Sequence, residues 1–188
     1  MKPSTVAAAL AGLLLVPAAF AQQKVLPAPQ SEIAFTSRQM GVPVDGRFRT
    51  FDAQVAFDPK NPQAAKIAFT VDLASVTMGA PESEAELAKQ PWFDTRKFPK
   101  ATFQSTGVKP AGPGRFDVTG QLSIKGQPRT VVVPVTLTQA GGTTTATGTF
   151  PIKRLEFKIG EGEWADTSMV ANEVQVKFKL ALTGVAPL

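Results

Sequence analysis

From residue 22 onward, apolar and polar positions alternate with period 2 through most of the chain. Phe116, Val118, Gly120, Leu122 and Ile124 share one face, against Arg115, Asp117, Thr119, Gln121, Ser123 and Lys125. Val131, Val133, Val135 and Leu137 alternate with Thr130, Pro134, Thr136 and Thr138, and Val174, Val176, Phe178, Leu180 and Leu182 alternate with Glu173, Gln175, Lys177 and Lys179. Ile33 with Phe35, Ile67 through Val71, and Ala101 with Phe103 mark further runs. Successive side chains of a strand point to opposite faces, so this pattern predicts half-buried β-strands. Turn chemistry separates them at Gly41–Gly46, Asp58–Pro62, Gly112–Gly114, Lys125–Pro128 and Gly141–Gly142. The spacing predicts an antiparallel meander of about eight strands. Phe48 and Phe51 lie three apart, so the phase slips and a β-bulge is predicted there; Gly120 marks a second bend.

One stretch breaks the alternation. Residues 81–89 read PESEAELAK, with acids early and Lys late, and predict a short helix between strands three and four. Ser83 and Glu86 have the spacing of a capping box. The expected fold class is therefore all-β, an eight-stranded antiparallel barrel with a short helical insertion between strands three and four. An outer-membrane barrel alternates similarly but turns its apolar residues outward between aromatic girdles. Here the large apolar side chains lie mid-strand and Tyr is absent, which favours an apolar interior. A barrel of this size has just enough interior to hold one small ligand.

Composition narrows the chemistry. The 188 residues contain no His and no Cys. That excludes Ser–His and Cys–His nucleophile pairs, His-ligated zinc or haem, and disulfides. Residues 1–21 have the plan of a cleaved secretory signal peptide: Lys2, an apolar run from Ala7 to Val16, and Ala19-Phe20-Ala21 as a small-x-small cleavage site. Residues 22–188 are then one exported domain, expected in the periplasm and held by its hydrophobic core alone. Net charge is only +5 and the basic residues are scattered, so a nucleic-acid partner is not expected. This holds even for residues 90–105, QPWFDTRKFPKATFQS, whose interleaved rings and cations superficially suit a single-strand groove. That stretch reads instead as a lid leading into strand four, with Trp92, Phe93 and Phe98 plugging one end of the barrel.

The inward positions predict one continuous apolar lumen, lined by Phe35, Phe69, Val71, Phe103, Phe116, Val118, Phe150, Val176 and Phe178. Arg38, Trp92, Phe93, Phe98, Arg154 and Trp164 are the candidates at its lid or mouth, since Arg offers a fixed donor fork for phosphate or a quinone oxygen. The alternative is that the rings fill the barrel and the surface serves a protein partner. The carboxylates Glu161, Glu163 and Asp166 lack both a partner base and a calcium-loop pattern, so neither catalysis nor a metal is expected.

Several stretches together resemble the YceI-like family of exported, lipocalin-like proteins. They are Gly46-Arg47-Phe48, Trp92-Phe93-Asp94 with Lys97-Phe98-Pro99 running into Ala101–Thr106, Val118–Gly126, and Lys153–Gly160 followed by Gly162-Glu163-Trp164. The resemblance implies a periplasmic protein that binds a long polyisoprenoid or quinone-type amphiphile non-covalently in an elongated pore, as carrier, store or sink, with no covalent cofactor. It also implies a transient inner-membrane b-type cytochrome partner. Two positions depart from the family pattern: Arg38-Gln39-Met40-Gly41 stands where many relatives have a His, and Lys158 where Gly is common.

Overall fold

A computed structural model describes residues 22–188; the signal peptide predicted over residues 1–21 lies outside the described residues. The chain forms eleven strands and one α-helix: β1 (Lys24–Val25), β2 (Glu32–Gln39), β3 (Val42–Phe48), β4 (Phe51–Ala56), β5 (Lys66–Asp72), β6 (Val76–Thr77), α1 (Pro81–Leu87), β7 (Lys100–Gly112), β8 (Arg115–Ile124), β9 (Gln127–Ala140), β10 (Thr143–Lys153) and β11 (Glu173–Thr183). All pairings are antiparallel, in the order β4-β5-β7-β8-β9-β10-β11-β2-β3-β6, with β1 added beside β11. Because β3 runs into β4 across Arg49 and Thr50, both ends of this path are one piece of chain, and the sheet curls into a barrel.

The expected count of eight is corrected to eleven, for a local reason. The slip between Phe48 and Phe51 is a full break rather than a bulge. The amides of Arg49 and Thr50 leave the sheet and donate to the carbonyl and Oγ of Ser75, at 3.1 and 3.0 Å. The remaining additions, β1 and β6, are two-residue strands too short for an alternation to register. A true bulge does occur near Gly120, but on the partner strand: the β7–β8 register shifts between Ser105 and Gly107.

The helix begins with Pro81, a residue whose missing N–H is no loss in a first turn, and its N-cap is Ala80. Ser83 therefore does not cap it, and the anticipated capping box is not used. Glu84 instead ties the helix back to the chain before it. Its Oε1 accepts from Thr77 Oγ1 at 2.8 Å, Met78 N at 2.9 Å and Gly79 N at 3.2 Å. The Met78 amide first, then the Thr77 hydroxyl, the Gly79 amide and the charge of Arg49 hold this carboxyl below its ordinary value. Beyond the helix, residues 89–98 fold as successive turns, with Phe98 N donating to Asp94 O at 2.8 Å. Lys158, at the Gly-favoured position, takes the left-handed conformation itself, with φ of 57°.

On the inner face, three phenylalanines lie over glycines of a neighbouring strand. Phe35 pairs with Gly46, Phe178 pairs with Gly148, and Phe103 lies diagonally across from Gly120. A β-carbon at Gly46, Gly120 or Gly148 would stand 2.3, 2.3 or 2.4 Å from the Cζ of the covering ring. Each ring thus rests against the wall where a side chain would be, a pairing that restores packing over a strand glycine.

Two outcomes follow. Gly46→Ala meets only Phe35 and must push its ring into the lumen, lowering stability by about 1–3 kcal/mol in chemical denaturation; an unchanged midpoint and an unmoved Phe35 refute the pairing. For Glu84 the folded pKa is depressed, so its contribution is complete above the ordinary value of 4.5 and is lost as pH falls through the lower, folded value. Acid titration followed by Trp fluorescence should therefore show the helix loosening below about pH 4.5 in the native chain, with that step absent in Glu84→Gln.

Candidate functional site

The lumen is hollow and divided into two chambers. The first has a volume of about 180 Å³ and a wall without polar surface. Of the predicted lining residues, Phe69, Val71, Phe103, Phe116, Val118, Phe150, Val176 and Phe178 surround it. Phe69, Phe103 and Phe178 face inward yet stay only half-buried, because the space they face is open. Thr144 is the one hydroxyl-bearing residue on this wall, and Gln139 Nε2 occupies its oxygen at 3.0 Å. Away from the helix, Phe57 meets Phe116 edge to face at 5.0 Å, with Leu137, Leu182 and Val185 beside them. Phe57 and Val185 were not legible as lining, since neither belongs to an alternating run.

The second chamber, about 270 Å³, lies under α1 and adjoins the first at Val176, which lines both. Phe35 belongs here rather than to the deeper chamber. Its ring lies 5.8 Å from Phe48, which lies 6.1 Å from Phe93, so an aromatic row runs from the wall to the lid. Trp92, Phe93, Arg154 and Trp164, all predicted at the mouth, line this chamber with Leu87, Ile152, Ile159 and the polar residues Ser37, Gln39, Ser83 and Glu86. The two indoles pack 5.4 Å apart.

Two predicted mouth residues line neither chamber. Arg38 is exposed, and its guanidinium turns back to Gly41 O at 3.2 Å, within its own hairpin. Phe98 covers the β8–β9 turn, 3.0 Å from where a Gly126 β-carbon would be, with Lys97 Nζ 5.3 Å from its ring centre.

Arg154 is 2% exposed, and no carboxylate faces it. Its Nε donates to Ala171 O at 3.1 Å; Nη1 donates to Ile159 O and Gly160 O at 2.9 and 3.0 Å; Nη2 donates to Trp164 O and Val170 O at 2.7 Å each. All five donors of the fork are thus taken by main-chain carbonyls. Burial draws its pKa down, while the ring of carbonyl oxygens favours the charged form. The expected role of holding a ligand's head group gives way to another: Arg154 winds the 154–172 loop around itself.

Lys125 is the residue that the sequence hid. It sits in the Lys125-Gly126 turn with φ of 50° and is 5% exposed. Its Nζ donates to Gln90 O and Lys158 O at 2.7 Å each and to Glu161 Oε2 at 2.9 Å. This single ammonium joins the 89–98 turns to the 154–172 loop, and amides of Gly160 and Glu161 add bonds to Pro91 O at 2.7 and 2.9 Å. Glu161 is therefore an ion-pair partner, and Asp166 accepts from Ser168 N and Oγ at 2.8 and 2.7 Å. Among the described residues, no cluster of three or more His, Cys, Asp or Glu is placed to hold a metal.

Comparison with known proteins gives this hollow barrel its relatives. A structure of Burkholderia cenocepacia BcnA is 46% identical, with a TM-score of 0.78 over 80% of this chain and 95% of that one. A polyisoprenoid binding domain from Saccharophagus degradans, 17% identical, shares the fold with a TM-score of 0.70 over 90% of this chain and 100% of that one. The UPF0312 protein of Azotobacter vinelandii is 39% identical over 88 residues, 47% of this chain and 46% of that one, so the chain spans about half the length of that curated relative. The model of the YceI-like domain matches residues 25–182, from β1 to the end of β11, and the chain belongs to the YceI-like family.

Proposed function

We propose that this protein binds an isoprenoid or quinone-type lipid in its lumen, non-covalently, and acts as a carrier, store or sink rather than as a catalyst. The observation that carries this reading is the deep chamber, whose wall offers no polar surface while the barrel around it is folded and complete. Burying apolar surface is worth roughly 25 cal/mol per Å², so several prenyl units in such a space supply several kcal/mol without any directed contact. The alternative of an interior filled by its own rings does not describe this lumen: Phe103 and Phe178 are held against their glycines, away from the axis. The Saccharophagus degradans domain is named for polyisoprenoid binding, and its likeness to this chain in fold supports the same class of ligand. The leader-like residues 1–21 support an exported, periplasmic setting, where a lipid needs an apolar container to cross water.

Native protein should yield an apolar lipid on organic extraction and mass spectrometry. Ala146→Phe, which places a ring in the deep chamber, should weaken uptake of that lipid about tenfold or more while the far-UV spectrum stays that of the same sheet. A native protein that yields no lipid and takes up none would overturn the reading.

A further inference from the structure

The two chambers differ in chemistry, and the difference bears on the ligand's polar end; this inference rests on the lipid-binding reading above. An amphiphile whose tail fills the deep chamber leaves its head among the polar groups under α1. A phosphate or carboxylate there would need a cation with donors to give. Arg154, on the wall, has all five donors engaged by carbonyls, whose negative ends also screen its charge. Lys125, behind the lid, has its three donors engaged likewise. Arg38 does not line the chamber, and the acid that does, Glu86, is paired with Lys89.

Trp92 stands apart from these. Its Nε1 is, among the described residues, the one buried side-chain nitrogen or oxygen without a hydrogen-bond partner. The ring's orientation is set at the other end: Cζ3 lies 3.2 Å from where a β-carbon of Gly160 would stand, against the Arg154 cluster. In an indole, Nε1 is attached to the carbon opposite Cζ3, so the N–H is directed away from Arg154 and its carbonyls. A buried donor without an acceptor is a standing cost that an acceptor on a bound molecule removes.

We propose that the chamber under α1 selects an uncharged head group bearing an oxygen acceptor, and that the Nε1–H of Trp92 is the donor that recognises it. A carbonyl of ketone, ester or quinone type meets this requirement; a phosphate or diphosphate does not. Recognition then resembles a site built around one polar contact in an apolar setting, where the missing partner is penalised more than its presence is rewarded.

The test uses three probes of prenyl character in calorimetric titration: geranylgeranylacetone as the ketone, geranylgeranyl diphosphate as the anion, and squalene as the hydrocarbon. The native protein should bind the ketone at least about tenfold more tightly than the diphosphate. Trp92→Phe keeps a ring at the position and removes only the donor. It should weaken the ketone about five- to tenfold and leave squalene unchanged, which also shows that the variant is folded. Equal binding of ketone and diphosphate overturns the proposal, and so does a Trp92→Phe variant that binds the ketone as before or loses ketone and squalene alike. Failure of all three probes to bind the native protein would instead strike at the lipid-binding reading itself.

Discussion

A glycine in a β-strand lets a neighbouring ring come down onto the backbone, and in this barrel that contact occurs on three strands facing the lumen. Phe35, Phe103 and Phe178 each occupy the place of an absent β-carbon, over Gly46, Gly120 and Gly148. The alternative destination for rings of this size is the axis, where they would interdigitate and give the solid interior usual for small barrels. Strand glycines ordinarily weaken a sheet, and a ring laid over them restores the lost contact. The arrangement thus satisfies the wall and preserves the hollow together. Gly120 and Gly148 are the more constrained, since a β-carbon would also approach Gln104 O at 2.7 Å and Pro134 O at 2.5 Å.

The lid obeys a different logic. Turns and loops expose carbonyls that no ladder satisfies, and the 154–172 loop and the 89–98 turns would bring several of them into the barrel's end. Two buried cations collect these groups, Arg154 with five carbonyls and Lys125 with two carbonyls and Glu161. Each carbonyl left without a donor would cost about 1–3 kcal/mol, so the guanidinium acts as a template for the loop as much as a charge. Desolvating a cation is expensive unless all its donors are met, and here they are. The same completeness explains why neither group is free for a ligand.

The barrel was legible in the sequence because period 2 and inward phenylalanines are local signals that burial enforces. The strands carrying Phe69, Phe103, Phe116, Phe150 and Phe178 lie where alternation puts them, on one wall. The break at Arg49 and Thr50 was not legible, since it depends on Ser75, some 25 residues along, offering an alternative to the ladder. Lys125 read as turn chemistry; only the fold brings Gln90, Lys158 and Glu161 to its ammonium. Arg38 and Arg154 looked equivalent as cations near the mouth, yet one bonds its own hairpin and the other nucleates a loop. Spacing reports which face a residue takes; it does not report which distant carbonyls will claim its donors.

The two ends of the lumen therefore ask different things of the sequence. The deep chamber works by exclusion of water, a non-directional effect for which Val, Leu and Phe are nearly interchangeable, so alternation alone suffices to encode it. The chamber under α1 carries direction: the orientation of Trp92 follows from Gly160, whose small size admits both the indole edge and the guanidinium of Arg154. Directional recognition requires a fixed donor, and fixing the donor requires the loop that Arg154 winds. Tail capacity is thus a property of the barrel, and head-group choice a property of the lid built upon it. Relatives that keep the glycine–phenylalanine wall but change the lid would retain the container while altering which polar end it accepts.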